Sequence, residues 1–244
     1  MNNSKNAKLD RLRYLLPVRS IIFFLIFIIG SYSVGNDVSG ISNWWSVAAS
    51  SVNIILILFL VLVSRKAGSN YCELINLKRG SASIKKIAAI AAAFIVVGMA
   101  GMYLAGFICY GKLPYMSPML IAPIPVGLAA VNFIILPVST ALAEEGLYLG
   151  CGVERFRNKY AAILIPAFFF ALQHSFIPTL FDMKYVVYRF LSFLPLTLAI
   201  CWYYRKNRDP IPVIAGHIIL DIATSSMILM TSVSPSLYDK MREM

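Results

Sequence analysis

The chain has 244 residues, of which 59% are hydrophobic and only 14% are charged, and its mean hydropathy is +0.74. A soluble domain of this size would carry about 25% charged residues, so the composition excludes an ordinary soluble protein and indicates an integral membrane protein. The net charge of +11 does not indicate a nucleic-acid partner, because basic residues in a membrane protein first mark its cytoplasmic loops.

Seven stretches are apolar enough to cross a bilayer, which takes about 20 residues of helix. They cover residues 17–34, 43–64, 87–110, 118–152, 160–176, 185–204 and 211–234. The sequence therefore predicts an all-α polytopic fold of about seven transmembrane helices, with a range of six to eight, around an intramembrane polar cavity. We expect a single membrane domain over residues 1–244. The first stretch has a basic flank like a signal peptide, but its long apolar core and missing A-x-A site favour a retained helix.

The fourth stretch is too long for one straight span. It contains Pro118, Pro123, Pro125 and Pro137. Since proline removes a helical hydrogen bond, we expect an irregular entry and a kink, in either one bent helix or two segments.

Basic residues concentrate in the N-terminal tail, at the edge of the first stretch, where Arg19 lies, and in the loops after the second, fourth and sixth stretches. This alternation predicts a cytoplasmic N-terminus and an external C-terminus. It would break if the fourth stretch were two spans. We expect a multi-pass protein of the cell membrane, specifically the bacterial cytoplasmic membrane.

Few ionisable residues lie within the predicted spans, where they are costly and by default indicate function. They are Glu144, Glu145, His174, Arg189, His217 and Asp221. The last two are four residues apart and so share a helix face, whereas adjacent glutamates diverge by about 100°. One glutamate can therefore face a cavity while the other faces a neighbouring helix. Arg189 lies near the outer end of its span, where we expect it to snorkel.

Depth within the membrane supports a shared site. At about 1.5 Å per residue, Glu144 lies about 12 Å and His217 about 9 Å from the cytoplasmic ends of their spans, and His174 about 21 Å. A carboxylate in a low dielectric can act as a general base near neutral pH. One histidine can share its water, and a second can stabilise an oxyanion. The set predicts a water-activating hydrolytic site.

Other interpretations remain open. Either glutamate could form a structural ion pair with Arg189, and each histidine alone is more often a packing residue. We expect no cofactor, but the two glutamates, two histidines and Asp221 could together bind Zn²⁺, although no HExxH helix is present. Buried acids and histidines also serve proton-coupled transporters, but the chain shows no inverted repeat or paired broken helices.

Three motifs resemble those of the CAAX protease and bacteriocin-processing family (CPBP, or Abi) of intramembrane glutamic endopeptidases. They are AEEGLYLG at 143–150, FALQH at 170–174 and HIILD at 217–221. The family pattern is EExxxR, FxxxH and HxxxN or HxxxD, and the resemblance covers the core motifs at residues 118–232. It implies a cavity open toward the cytosol and peptide-bond hydrolysis without a covalent acyl-enzyme intermediate.

At the matching positions, the resemblance implies that Glu144 activates water with help from His174. His217 and Asp221 take the oxyanion-stabilising position, and Glu145 takes that of a supporting glutamate. The implied substrate is a peptide or a membrane-anchored or lipidated protein. Some members act as regulators or confer bacteriocin immunity, so a membrane regulatory partner is also implied as an option.

Two positions depart from the family pattern. The arginine five residues after the first glutamate is Leu149 here, so a cation that would hold Glu145 is missing. This departure favours the alternative of an inactive member that acts as a membrane regulator, scaffold or bacteriocin-immunity protein.

Asp221 replaces an amide found in eukaryotic members. An ionised carboxylate cannot donate to an oxyanion, so we expect Asp221 to orient His217 as an acceptor rather than to donate in a form kept protonated by burial.

Overall fold

The computed structural model describes residues 7–35, 37–78, 82–113 and 117–243. Within these residues the protein is all helical, as predicted, and its one extended pairing is an isolated bridge between Phe176 and Thr179. We name the main helices α1 to α7 in chain order. They cover Val18–Val34, Trp45–Lys66, Ile84–Tyr110, Val126–Glu144, Ala161–His174, Met183–Asn207 and Ile211–Val233.

Shorter helices connect and extend the main ones. They are the 3₁₀ helices Arg11–Leu15, Pro118–Ile121 and Val153–Arg155, the α-helices Val38–Ser42, Tyr71–Leu74 and Pro235–Glu243, and the π-helix Glu145–Gly150. Val126–Arg155 forms one long apolar run, so the fourth predicted span is a single irregular helix. Its predicted start was too early, because Pro118–Ile121 is a separate turn and Pro125 caps α4.

The number of spans agrees with the prediction. Six helical runs of the described chain are long and apolar enough to cross a membrane, the first of them reaching back to Ala7. The seventh, α5, has 14 residues and is shorter than the roughly 20 that a straight span needs. The protein is therefore a multi-pass membrane protein with six long apolar helices and one shorter apolar helix, α5, in the described chain.

The connections gather at two opposite ends of the bundle. Near one end, Lys86 pairs with Asp209 at 3.0 Å and Arg208 pairs with Glu154 at 2.7 Å. Asp10 lines a surface cleft with Glu154, which places the start of the chain there too. We call this the basic end. At the other end, the hydroxyl of Ser42 donates to the carbonyl of Thr179 (2.6 Å), and that of Thr231 donates to Ile121 (2.8 Å). The basic loops after α2, α4 and α6 thus meet at one end of the bundle. The side of the membrane that this end faces stays a prediction.

The helices pack in the order α2, α4, α7, α3, α6, α5, and the π-helix contacts both α2 and α5. At the basic end an apolar cluster, which includes Leu16, Leu60, Leu147 and Val213, fills the interior. Large apolar side chains such as Ile134, 68% exposed, cover outward faces, as expected for a surface that meets lipid.

Candidate functional site

The structure brings the five predicted site residues together from three helices. Glu144 is the last residue of α4, Glu145 begins the π-helix and His174 ends α5. His217 and Asp221 lie one turn apart in α7. Nε2 of His174 lies 3.9 Å and Nε2 of His217 lies 3.6 Å from Oε2 of Glu144. The depth estimate had placed His174 farther from Glu144 and His217 than the structure does. The two histidines approach the same carboxylate, that of Glu144.

The two glutamates contact the same imidazole from opposite sides. Oε1 of Glu145 lies 2.9 Å from Nδ1 of His217, within hydrogen-bonding distance, while Glu144 faces Nε2. Glu144 lines a cavity, whereas Glu145 is fully buried. The predicted divergence of adjacent glutamates is thus present, although both reach His217.

The π-helix accounts for this arrangement. Its wider turn leaves backbone groups without their usual helical partners, and single π turns are frequent at functional sites. The hydroxyl of Tyr71 donates to the carbonyl of Leu142, just before the widened turn. Burial raises the pKa of Tyr71, so the hydroxyl keeps its proton and remains a donor. A Cβ at Gly146 would lie 2.7 Å from this hydroxyl oxygen, which explains why glycine follows the two acids.

Asp221 is placed differently from our expectation. Its Oδ2 is 3.6 Å from Nε2 of His217, which is longer than a hydrogen bond. The acceptor that can orient the ring is Glu145. With Glu145 accepting from Nδ1–H, Nε2 of His217 faces the carboxylates of Glu144 and Asp221.

Arg19 belongs to the site, although the sequence analysis counted it among the loop cations. It is 2% exposed, and its Nη2 lies 2.9 Å from Oε1 of Glu144. Its position within the first predicted span could have identified it, because a charged side chain in a span is costly and by default indicates function, as for the glutamates. Leu149, where the family pattern has arginine, is fully buried in the apolar cluster. The cation at the acidic pair therefore comes from α1.

Arg189 was predicted to snorkel, and that prediction is wrong. The side chain is 7% exposed. Its Nε donates to the carbonyl of His174 (3.2 Å) and its Nη2 to that of Ile177 (3.0 Å). These carbonyls end α5, where the helix dipole favours a cation. Arg189 thus anchors the end of the helix that carries His174, instead of pairing with a glutamate.

Aromatic rings fix the position of the His174 ring. Phe193 stacks on it with centroids 3.6 Å apart, and Phe170 lies parallel at 6.1 Å. Phe170 in turn stacks on Tyr148 at 4.5 Å, whose hydroxyl donates to Gln173 at 2.9 Å. This packing holds Nε2 of His174 toward the cavity.

A cavity of about 90 Å³ lies against these groups. Its polar lining comprises Arg19, Thr140, Glu144, His174, Arg189, Asp221 and Thr224, and its apolar lining Trp45, Ala49, Leu120, Leu136, Ile177 and Phe193. Among the described residues, Oε2 of Glu144 and Oδ2 of Asp221 are buried without a hydrogen-bond partner. The volume is enough for several water molecules, each of which needs about 10–15 Å³ on this measure.

The cavity lies away from the basic end. Trp45 begins α2, and Leu120 adjoins Ile121, which bonds near the opposite end of the bundle. The apolar cluster fills the space between the acids and the basic end. The resemblance implied a cavity open toward the cytosol. If the basic end is the cytoplasmic one, as the loop charges predict, the cavity lies nearer the opposite side of the membrane.

The zinc alternative depends on side chains that converge on one point. Across the described part of the chain, no group of three or more His, Cys, Asp and Glu residues is arranged to hold a metal ion. The cavity is lined by the carboxylates of Glu144 and Asp221, by the imidazole of His174 and by two arginines. Such a set can bind a water molecule and take up its proton.

Comparison with known proteins agrees with the sequence motifs. Residues 126–223 match the family described as type II CAAX prenyl endopeptidase Rce1-like, so the resemblance inferred from the three motifs is confirmed. This segment contains all five predicted site residues, but not Arg19. No curated protein and no solved structure matches the chain.

Proposed function

From the membership of residues 126–223 in the type II CAAX prenyl endopeptidase Rce1-like family, we propose that the protein is an intramembrane glutamic-type endopeptidase. Its substrate is a membrane-associated or lipidated protein or peptide. The family supports a hydrolase of this kind, and the long apolar helices that carry Glu144, His217 and Asp221 support a site within the bilayer. By the alternation of loop charge, the basic end is cytoplasmic, and the protein resides in the bacterial cytoplasmic membrane.

Glu144 acts as the general base. Water bound between Oε2 of Glu144 and Nε2 of His174 gives its proton to Glu144 as its oxygen attacks the carbonyl carbon of the peptide bond. The resulting tetrahedral intermediate collapses when its C–N bond breaks and the amine takes the proton from Glu144. One water is consumed, two peptide fragments are released and no bond to the protein forms. The 3.9 Å between the two atoms suits a single water that contacts both.

His217 stabilises the negative charge on the carbonyl oxygen. Glu145 holds its Nδ1 at 2.9 Å, which fixes the ring and directs Nε2 toward Glu144 and Asp221. When the ring carries both protons, Nε2–H can donate to the developing oxyanion. Glu145 is then a positioning residue that acts through His217.

The approach of Nε2 of His174 and Nε2 of His217 to Oε2 of Glu144, at 3.9 Å and 3.6 Å, carries this proposal. It is tested by comparing the peptides released from cells that express the wild type, Glu144→Gln or Glu154→Gln. Glu154 is the matched control, because it pairs with Arg208 at the basic end. We expect membrane-derived fragments from the wild type and Glu154→Gln that are missing from Glu144→Gln. The same fragments from a normally inserted Glu144→Gln protein would contradict the proposal.

The same assay tests the metal alternative. A purified protein that still cleaves after exhaustive chelation does not need Zn²⁺, whereas loss of cleavage that added Zn²⁺ restores would replace the proposed mechanism.

An inactive regulator or scaffold is the second candidate, and Leu149 is the observation that favours it. A buried leucine stands where the family pattern has a cation. If Glu144→Ala complements a deletion strain as well as the wild type while inserting normally, the protein acts without peptidase activity.

A further inference from the structure

Arg19 uses only part of its hydrogen-bonding capacity on Glu144. Nη2 contacts Oε1 of the glutamate, but Nε and Nη1 are buried without a hydrogen-bond partner among the described residues. Arg19 lines the same cavity as Glu144, His174 and Asp221. A buried donor left unpaired costs free energy, and a cation more so, so these two groups are suited to an acceptor that enters the cavity.

We infer that Arg19 is a substrate-binding residue, whose Nε and Nη1 donate to an acceptor oxygen of the peptide held in the cavity. The inference rests on the proposed function, because the ligand is the substrate of that site. The acceptor is either a main-chain carbonyl or a terminal carboxylate, the two oxygen groups that every peptide carries.

The shape of the guanidinium supports this assignment. Arginine presents its donors in a fixed planar fork, so one edge can hold Glu144 while another faces a ligand. Phe23, whose ring lies 5.3 Å from the guanidinium carbon, packs beside Arg19 and limits its freedom. One side chain thus fixes the general base relative to the peptide oxygen.

The other cation of the cavity is less free to bind a ligand. Arg189 already donates from Nε and Nη2 to two carbonyls. Asp221 and Glu144 are acceptors when ionised, and they repel a carboxylate. Arg19 is therefore the donor of this cavity that best fits a peptide oxygen.

Trp45 provides a readout that does not depend on cleavage, because it lines the cavity. The chain has three tryptophans, and a Trp44→Phe, Trp202→Phe background leaves Trp45 as the sole reporter. The full-length protein in detergent would be titrated with N-acetylalanine and, separately, with N-acetylalanine amide. Arg13→Lys is the matched control, since Arg13 lies on the same N-terminal segment but contacts Tyr14 instead of the cavity.

We expect both compounds to change Trp45 fluorescence in the wild type and in Arg13→Lys. In Arg19→Lys, which keeps the charge but loses the fork, binding should weaken about tenfold, the loss typical of a charge-assisted hydrogen bond. A larger loss for the acid than for the amide identifies a carboxylate ligand, and equal losses identify a main-chain carbonyl. Wild-type affinity in Arg19→Lys, or no binding of either compound to the wild type, would overturn the inference.

Glu144→Gln gives a second test that keeps Arg19 in place. It releases Nη2 and removes the neighbouring negative charge, so N-acetylalanine should bind more tightly than to the wild type. Unchanged binding would count against the inference. Cleavage by Glu144→Gln would contradict the proposed function. It would leave the inference about Arg19 standing, because that inference is tested by binding and not by cleavage.

Discussion

Arg19 of α1 and Glu144 of α4, which are 125 residues apart in the sequence, form a buried ion pair, Nη2 to Oε1 at 2.9 Å. Both side chains are almost fully buried. The pair places α1 at the candidate site, although the family match begins only at residue 126. A cation that the family pattern puts within the glutamate motif is thus supplied here by another helix.

Removal of Arg19 should destabilise the protein as well as inactivate it. In Arg19→Met, Glu144 loses its counter-ion in a low-dielectric site, and breaking one partner of a buried pair costs about 3–5 kcal/mol. We expect a lower melting temperature in detergent and loss of peptide release. The double variant Arg19→Met, Glu144→Gln removes both charges and should recover much of the stability but none of the cleavage. If the double variant is as unstable as the single one, the charge pair is not the cause.

Glu145 should affect turnover more than binding. In Glu145→Ala, His217 loses the acceptor that fixes its ring, 2.9 Å from Nδ1, and a misplaced catalytic histidine costs orders of magnitude in rate. We expect kcat to fall about 100-fold or more, with KM within about threefold, because the ring acts in the transition state. Glu145→Gln keeps an acceptor oxygen and should retain more activity than Glu145→Ala. An effect on KM alone would argue against a positioning role.

Much of the site was predictable because its residue types break the apolar pattern. The seventh span was predicted at 211–234 and is observed at Ile211–Val233, since a continuous apolar run after a proline defines it. The shared face of His217 and Asp221 follows from helical spacing alone.

The remaining features depend on how separate helices pack. The pairing of Arg19 with Glu144 joins two helices far apart in sequence. The burial of Arg189 depends on how α6 packs against the end of α5. The π-helix at Glu145–Gly150 also carries no periodic signal of its own, because its apolar residues are equally compatible with an α-helix. Side-chain roles that rest on such contacts could not be read from one sequence.

Asp221→Asn should remain active. Asp221 lies 3.6 Å from Nε2 of His217, beyond hydrogen-bonding distance, and Glu145 already orients the ring. The amide preserves the shape and adds a donor that faces the cavity. We expect cleavage within about tenfold of the wild type. A hydrogen-bond donor changes the rate by about two to three orders of magnitude when it contacts the oxyanion, and in this proposal His217, not Asp221, has that role. Complete loss of cleavage in a normally folded Asp221→Asn protein would show that the carboxylate itself is needed.

The bend that follows the π-helix should tolerate no side chain at Gly152. A Cβ there would lie 2.2 Å from the carbonyl oxygen of Tyr148 and 2.9 Å from Pro166, and a backbone atom cannot move aside as a flexible side chain does. Gly152→Ala should therefore displace the π-helix, lower the melting temperature and reduce cleavage together.

Gly127→Ala is the matched control, because nothing lies within 4 Å of its added Cβ. Replacing a helical glycine there should raise stability by about 0.4–1 kcal/mol. Equal melting temperatures for the two variants, measured in the same detergent, would contradict the close packing behind the acidic pair.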